Sequence, residues 1–164
     1  MYRPLLEKPR VRGQMKGNAV ANPLYDGLFG RHAGKTTPFL HLLDGSTITH
    51  QHFLSRAAQI ANVMLQLELK PGDRVAAQIE KSPEALALYA ACAQAGLVFL
   101  PLNTAYTVDE LAYFIDNSGA SLIVCDGRNQ AALAPLAGRL GAIIETLNAD
   151  GSGSLNAKMQ KMPI

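Results

Sequence analysis

The sequence predicts an α/β fold: a doubly wound, mostly parallel sheet with flanking helices, preceded by a small N-terminal β-hairpin. Three observations carry this reading. Four short apolar runs, Arg74–Ile79, Leu97–Leu100, Leu122–Cys125 and Ile143–Thr146, alternate with helical patterns. None of these runs alternates apolar with polar residues, so both faces of each strand are expected to be covered by helices. The helical stretches between them carry explicit start and stop residues.

The elements follow in order. Pro23 to about Gly34 reads as a short helix with Leu24, Leu28 and Phe29 on one face. Phe39–Leu43 and Ser46–Thr49 flank Asp44-Gly45, a strong two-residue hairpin signal. From about His50 to Leu67, Phe53, Ala57, Ile60, Ala61 and Met64 share one helical face, with Thr49 as N-cap. Pro71-Gly72-Asp73 turns the chain into the first parallel strand. Ser82-Pro83-Glu84 supplies a hydroxyl cap, a proline at the first helical position and a first-turn acid. That helix ends at Gly96, and Pro101 closes the next strand. Thr107-Val108-Asp109-Glu110 forms a capping box, and Tyr106 with Leu111 forms a hydrophobic staple. Asn117-Ser118-Gly119 ends this helix. The last helix runs to about Leu140, bent or delayed by Pro135. Beyond Leu147 the sequence turns polar and glycine-rich, and no further helix is evident.

This gives three regions: a basic, disordered leader at 1–21, an α/β subdomain at 22–147 and a polar connector at 148–164. The leader carries Arg3, Lys8, Arg10, Arg12 and Lys16 against Glu7 alone. Pro4, Pro9, Gly13 and the lack of an apolar core argue against a secretory signal. A cytoplasmic protein is expected, with a mitochondrial transit peptide as the alternative. With 48% hydrophobic and 17% charged residues the composition is globular, and a net charge of +2 gives no nucleic-acid surface. Cys92 and Cys125 read as buried free thiols of a reducing compartment. No apolar run spans a membrane, since Gln94 and Pro101 interrupt Ala85–Leu102.

Few residues suggest chemistry. Gly34-Lys35-Thr36 resembles the end of a phosphate loop, but the earlier glycine is misplaced: Phe29 holds its position and Gly30 comes one residue late. Gly151-Ser152-Gly153-Ser154 has no strand leading directly into it and reads as a connector. His50 and His52 diverge at a helix start, and His32 and His41 have no acidic or cysteine partners, so no metal site is assigned. Glu80-Lys81-Ser82 and Asn103-Thr104 follow strands at the sheet end where ligands bind in open α/β folds. Ser82 reads more simply as a cap, and Asn103 as a turn residue bonding its own backbone. No catalytic or cofactor-binding residue is assigned.

The longer strings are more specific. Lys70-Pro-Gly-Asp-Arg-Val-Ala-Ala-Gln78, Glu80-Lys-Ser82 and Glu84-Ala-Leu86 resemble adenylate-forming acyl-CoA synthetases. So do Val98-Phe-Leu-Pro-Leu-Asn-Thr-Ala-Tyr-Thr107, Asp109-Glu-Leu111, Ser121-Leu-Ile-Val-Cys-Asp126, Glu145-Thr-Leu147 and Asp150-Gly-Ser-Gly-Ser-Leu155. The resemblance is collinear from about Leu24 to Leu155. Its Leu-Pro-Leu-Asn-Thr-Ala-Tyr-Thr segment, with Glu-Lys-Ser upstream, is closest to malonyl-CoA synthetases. It implies the N-terminal subdomain of an AMP-binding ligase that uses ATP and Mg²⁺ to adenylate a small carboxylic acid. Coenzyme A then takes the acyl group, giving malonyl-CoA where the acid is malonate. The resemblance places the phosphate loop, the metal-binding acid and the catalytic lysine beyond Ile164. The 164-residue chain alone is therefore expected to be inactive. Its expected partner is the remainder of a synthetase, or another copy through exposed apolar surface. The competing readings are a fatty-acid or aryl-acid ligase and a non-catalytic α/β binding domain.

Overall fold

The computed structural model describes residues 22–164. The basic leader expected at 1–21 lies outside the described residues.

Helix α1 (Pro23–Leu28) starts at Asn22, whose side chain accepts from the Tyr25 amide. It is shorter than the single helix predicted to Gly34, because a separate 3-10 turn takes Gly30–His32. Strands β1 (Pro38–His41) and β2 (Thr47–Thr49) pair antiparallel, with an irregularity between Pro38 and Leu40. The turn between them is wider than the predicted two residues. The Leu42 amide donates to the Ser46 carbonyl, and Asp44 accepts from the Ser46 amide and hydroxyl at 2.9 and 2.7 Å. This local carboxylate bond stabilises a turn of a different shape.

Helix α2 (His50–Gln66) follows, capped by Thr49 as predicted. Phe53, Ala57, Ile60, Ala61 and Met64 are all buried, each large side chain among them contributing about 1.5–3 kcal/mol of transfer free energy. Then β3 (Arg74–Gln78), α3 (Pro83–Ala95), β4 (Val98–Pro101), α4 (Val108–Ser118), β5 (Leu122–Cys125), α5 (Gln130–Leu140) and β6 (Ile143–Thr146) alternate. The strands form a four-stranded parallel sheet in the order β4-β3-β5-β6. Ser82 caps α3, and Gly96, in the left-handed region at φ 70°, ends it. The Thr107–Glu110 capping box is present, and Tyr106 packs against the cluster that contains Leu111. Helix α5 continues through Pro135, with Leu133, Leu136 and Ala137 buried around it.

Side-chain alternation along the strands divides the interior into two layers. Val75, Ala77, Leu122 and Val124 face α2 and α3. Ala76, Ile123 and Cys125 face α4 and α5. The β3-to-β4 connection runs in the opposite direction from the next two. Connections of one handedness running in opposite directions put their helices on opposite faces, which is double winding. The tail corrects the sequence reading: α6 (Ser154–Met159) folds back onto α2 and buries Leu155 and Met159. Among the described residues, no helix is long and apolar enough to cross a membrane.

Candidate functional site

The most recognisable strings build architecture first. Asp73 accepts from the Lys70 amide at 2.8 Å and, through its carbonyl, from Val98. Arg74 reaches the C-terminus of α4, donating to the Ser118 and Gly119 carbonyls at 2.8 and 2.7 Å. A cation is favoured at that end of a helix, where carbonyls lack intrahelical partners. The Pro-Gly-Asp-Arg-Val segment therefore joins β3, β4 and α4 rather than binding a ligand.

The Gly34-Lys35-Thr36 segment is also occupied by its own structure. The Lys35 amide donates to the His32 carbonyl, and the Lys35 carbonyl accepts from Gln51. The His50 amide donates to the Thr37 carbonyl. A phosphate cradle needs several free amides converging on one point, so this segment does not fit a nucleotide phosphate. Histidines separated in sequence do meet here. The His32 and His50 rings stack at 4.5 Å, and Lys35 Nζ lies 3.1 Å from His32 Nδ1. Desolvation, then the neighbouring Lys35, His50 and Arg31 charges, hold His32 below its ordinary pKa. Among the described residues, no three His, Cys, Asp or Glu side chains group as a metal site. Cys92 and Cys125 are buried and unpaired; burial pushes their thiols up to about 12 and about 11.

The structure does unite two segments singled out in sequence. Glu80-Lys81-Ser82 and Asn103-Thr104 stand on the rim of one open cleft of about 1050 Å³. The C-terminal ends of β3 and β4 form its floor, with Ala77, Ile79 and Pro101. Helix α3 adds Leu86 and Tyr89, and Phe99 packs edge-on to Tyr89 at 5.6 Å. The third wall is the hairpin, through Leu40, His41 and Leu42. Sequence reading did not place the hairpin here, since that contact is non-local. The result is an apolar trough with a polar, charged mouth, the usual chemistry of a small-molecule or docking surface. Ser82 keeps its capping bond to the Ala85 amide at 3.1 Å. Asn103 accepts from the Ala105 amide at 3.0 Å, the turn expected of it. Glu80, Lys81, Asn103 and Thr104 remain exposed.

A second feature was not singled out in sequence. Gln78, at the end of β3, is 2% exposed. Its Nε2 stands 3.3, 3.4 and 3.3 Å from the carbonyls of Asn103, Thr104 and Tyr106. Its Oε1 accepts from Asn129 at 3.1 Å. An amide inside an otherwise apolar strand was the available signal, because a buried polar group must find partners.

Comparison with known proteins gives a consistent picture. The family model described as "AMP-binding enzyme" matches residues 29–162. The chain superimposes on crystal structures of apo and ATP-bound MatB from Rhodopseudomonas palustris, each with a TM-score of 0.83 and 40% identity, covering 87% of this chain and 28% of MatB. A feruloyl-CoA synthase from Amycolatopsis is 38% identical over 97 residues, covering 58% of this chain and 20% of the relative. The long-chain fatty acid transport protein 1 of Rattus norvegicus is 30% identical over 135 residues, covering 80% and 21% respectively. The chain thus spans about a fifth of these curated relatives and 28% of MatB.

Proposed function

The chain belongs to the AMP-binding enzyme family, and on that premise we propose that it serves as the N-terminal subdomain of an ATP-dependent acyl-CoA ligase for malonate. The observation that carries this reading is the agreement with MatB at 40% identity over 87% of the chain. The Leu100–Thr107 and Glu80–Ser82 strings, which resemble malonyl-CoA synthetases, point the same way. The shorter match to a feruloyl-CoA synthase supports the ligase class and leaves an aryl acid as the competing substrate.

In this reading, ATP, Mg²⁺ and coenzyme A act at residues outside this sequence. When bound, ATP and its metal activate the carboxylate as an adenylate. The part of the present residues is to supply a rigid sheet and the cleft beside β4, on which the rest of a ligase packs. A cytoplasmic setting accompanies this reading, in keeping with two unpaired buried cysteines.

Malonate-dependent ATP–pyrophosphate exchange tests the proposal in two arms. The purified 164-residue chain is expected to give no exchange above a protein-free blank. Grafted into MatB in place of its matching segment, it is expected to support exchange. Exchange by the chain alone would overturn the division of labour. A folded graft without exchange would overturn the ligase reading itself.

A further inference from the structure

In an open parallel sheet, ligands enter where the strand order reverses, beyond the carboxyl ends of the strands. Here that point lies between β3 and β5, the two inner strands of the order β4-β3-β5-β6. A protein side chain fills it. Gln78 ends β3, on the face that carries α4 and α5. Its backbone carbonyl accepts from Asp126, just after β5. Its side-chain oxygen accepts from Asn129, in the same exit loop. Its amide nitrogen faces the Asn103, Thr104 and Tyr106 carbonyls of the β4 exit loop. One side chain thus joins the exits of both strands that flank β3.

We infer that Gln78 is a positioning residue: its amide draws the Asn103–Tyr106 loop onto the switch point and so fixes where Asn103 and Thr104 stand in the cleft. The chemistry of the residue suits this task. An amide nitrogen offers two hydrogens and no acceptor, so three carbonyls can share it. The oxygen satisfies Asn129, so neither end is left buried and unpaired. A leucine would fill the volume and satisfy none of the carbonyls. A glutamate would turn an acceptor toward three acceptors. The switch point is filled in consequence, and the cleft beside it opens on the α3 side. The inference stands on geometry alone and does not depend on the ligase reading.

Hydrogen exchange of the 164-residue chain tests it, read from peptides covering 103–107 and normalised to the unaltered protein at each pH. In Gln78→Glu at neutral pH the carboxylate repels the carbonyls, and exchange in this peptide is expected to rise about tenfold. Burial against carbonyls raises the pKa of that carboxyl. Lowering the pH to about 5 therefore protonates it, restores one donor and brings protection back in part. The charged side chains of the adjoining segments are Glu80 and Lys81 after β3, Asp109 at the start of α4 and the Asp126–Arg128 pair after β5; Glu110 is held by Thr107 in its own cap. Gln78→Leu is expected to raise exchange equally at both pH values. Unchanged exchange in both variants would overturn the inference, as would a Gln78→Glu defect confined to 103–107 that does not recover on acidification. Should Gln78→Glu instead lose protection across the whole chain at both pH values, the variant has unfolded and Asn129→Ala decides. It removes only the bond that orients the amide, and about threefold faster exchange at 103–107 is expected. No change there would refute the positioning role.

Discussion

The two edges of the parallel sheet are finished in opposite ways. At the β6 edge the chain returns and seals its own strand. The Thr146 amide donates to the Ser154 hydroxyl and the Ser154 amide to the Thr146 hydroxyl, each at 2.9 Å. Glu145, 2% exposed, is paired with Lys158 and accepts from the Ser154 hydroxyl. Helix α6 then covers the strand end and reaches α2. At the β4 edge, Val98 is half exposed, and the exit of the strand opens onto the cleft. The contrast separates architecture from available surface. Glu145, Thr146 and Ser154 at the sealed edge are tied into the fold, whereas Asn103 and Thr104 at the open edge, with Lys81 across the cleft, still face solvent. An unprotected strand edge invites a partner, so the β4 side is where we expect further protein or ligand to engage.

The sharpest way to break the sealed edge is Gly153→Ala. Gly153 has φ 129°, in the left-handed half of the map, and a Cβ there would sit 2.3 Å from the Thr146 carbonyl oxygen. That oxygen is backbone and cannot swing aside, so the return of the chain must shift. A loss of about 3 kcal/mol or more is expected from backbone strain and steric conflict together. Urea unfolding monitored by circular dichroism measures it. A midpoint unchanged within error would mean that the Gly151–Ser154 return contributes nothing to the fold.

Glu145→Gln is the next largest. The substitution keeps the shape and removes the charge that meets Lys158. Since Lys158 is partly exposed and can turn to water, the cost stays below that of a fully buried pair, at about 1–2 kcal/mol. The same unfolding measurement applies. Equal stability of the two proteins would show the pair to be incidental to the closure of this edge.

These two residues also show how much of the fold could be read in advance. The strands, the Ser82 and Thr107 caps and the Gly96 and Gly119 ends follow from local rules, because each depends on neighbours a few residues away. Helix α6 did not, since it has no side-chain cap and its apolar contacts are with α2, about a hundred residues earlier. The hairpin was visible as a hairpin but not as a cleft wall, for the same reason. Glu145 and Gln78 were not singled out either, although a polar residue inside an apolar strand was the available signal: each requires a partner that the sequence does not name. The candidate site was visible as two halves, Glu80–Ser82 and Asn103–Thr104. Only the parallel pairing of β3 with β4 brought those halves together.

The smallest effects are expected at the open edge, and they give the comparison its meaning. Lys81→Ala and Thr104→Ala remove exposed side chains from the mouth of the cleft. Thr104 gives only its carbonyl to the Gln78 contact, which alanine retains. Each should change unfolding free energy by no more than about 0.5 kcal/mol. Surface that the fold does not need is free to be used for binding. The same two substitutions, carried in the MatB graft, should therefore alter exchange activity or the docking of the ligase remainder more than they alter stability. A loss of stability comparable to Glu145→Gln would make the β4 side a second structural edge and remove the reason to look for function there.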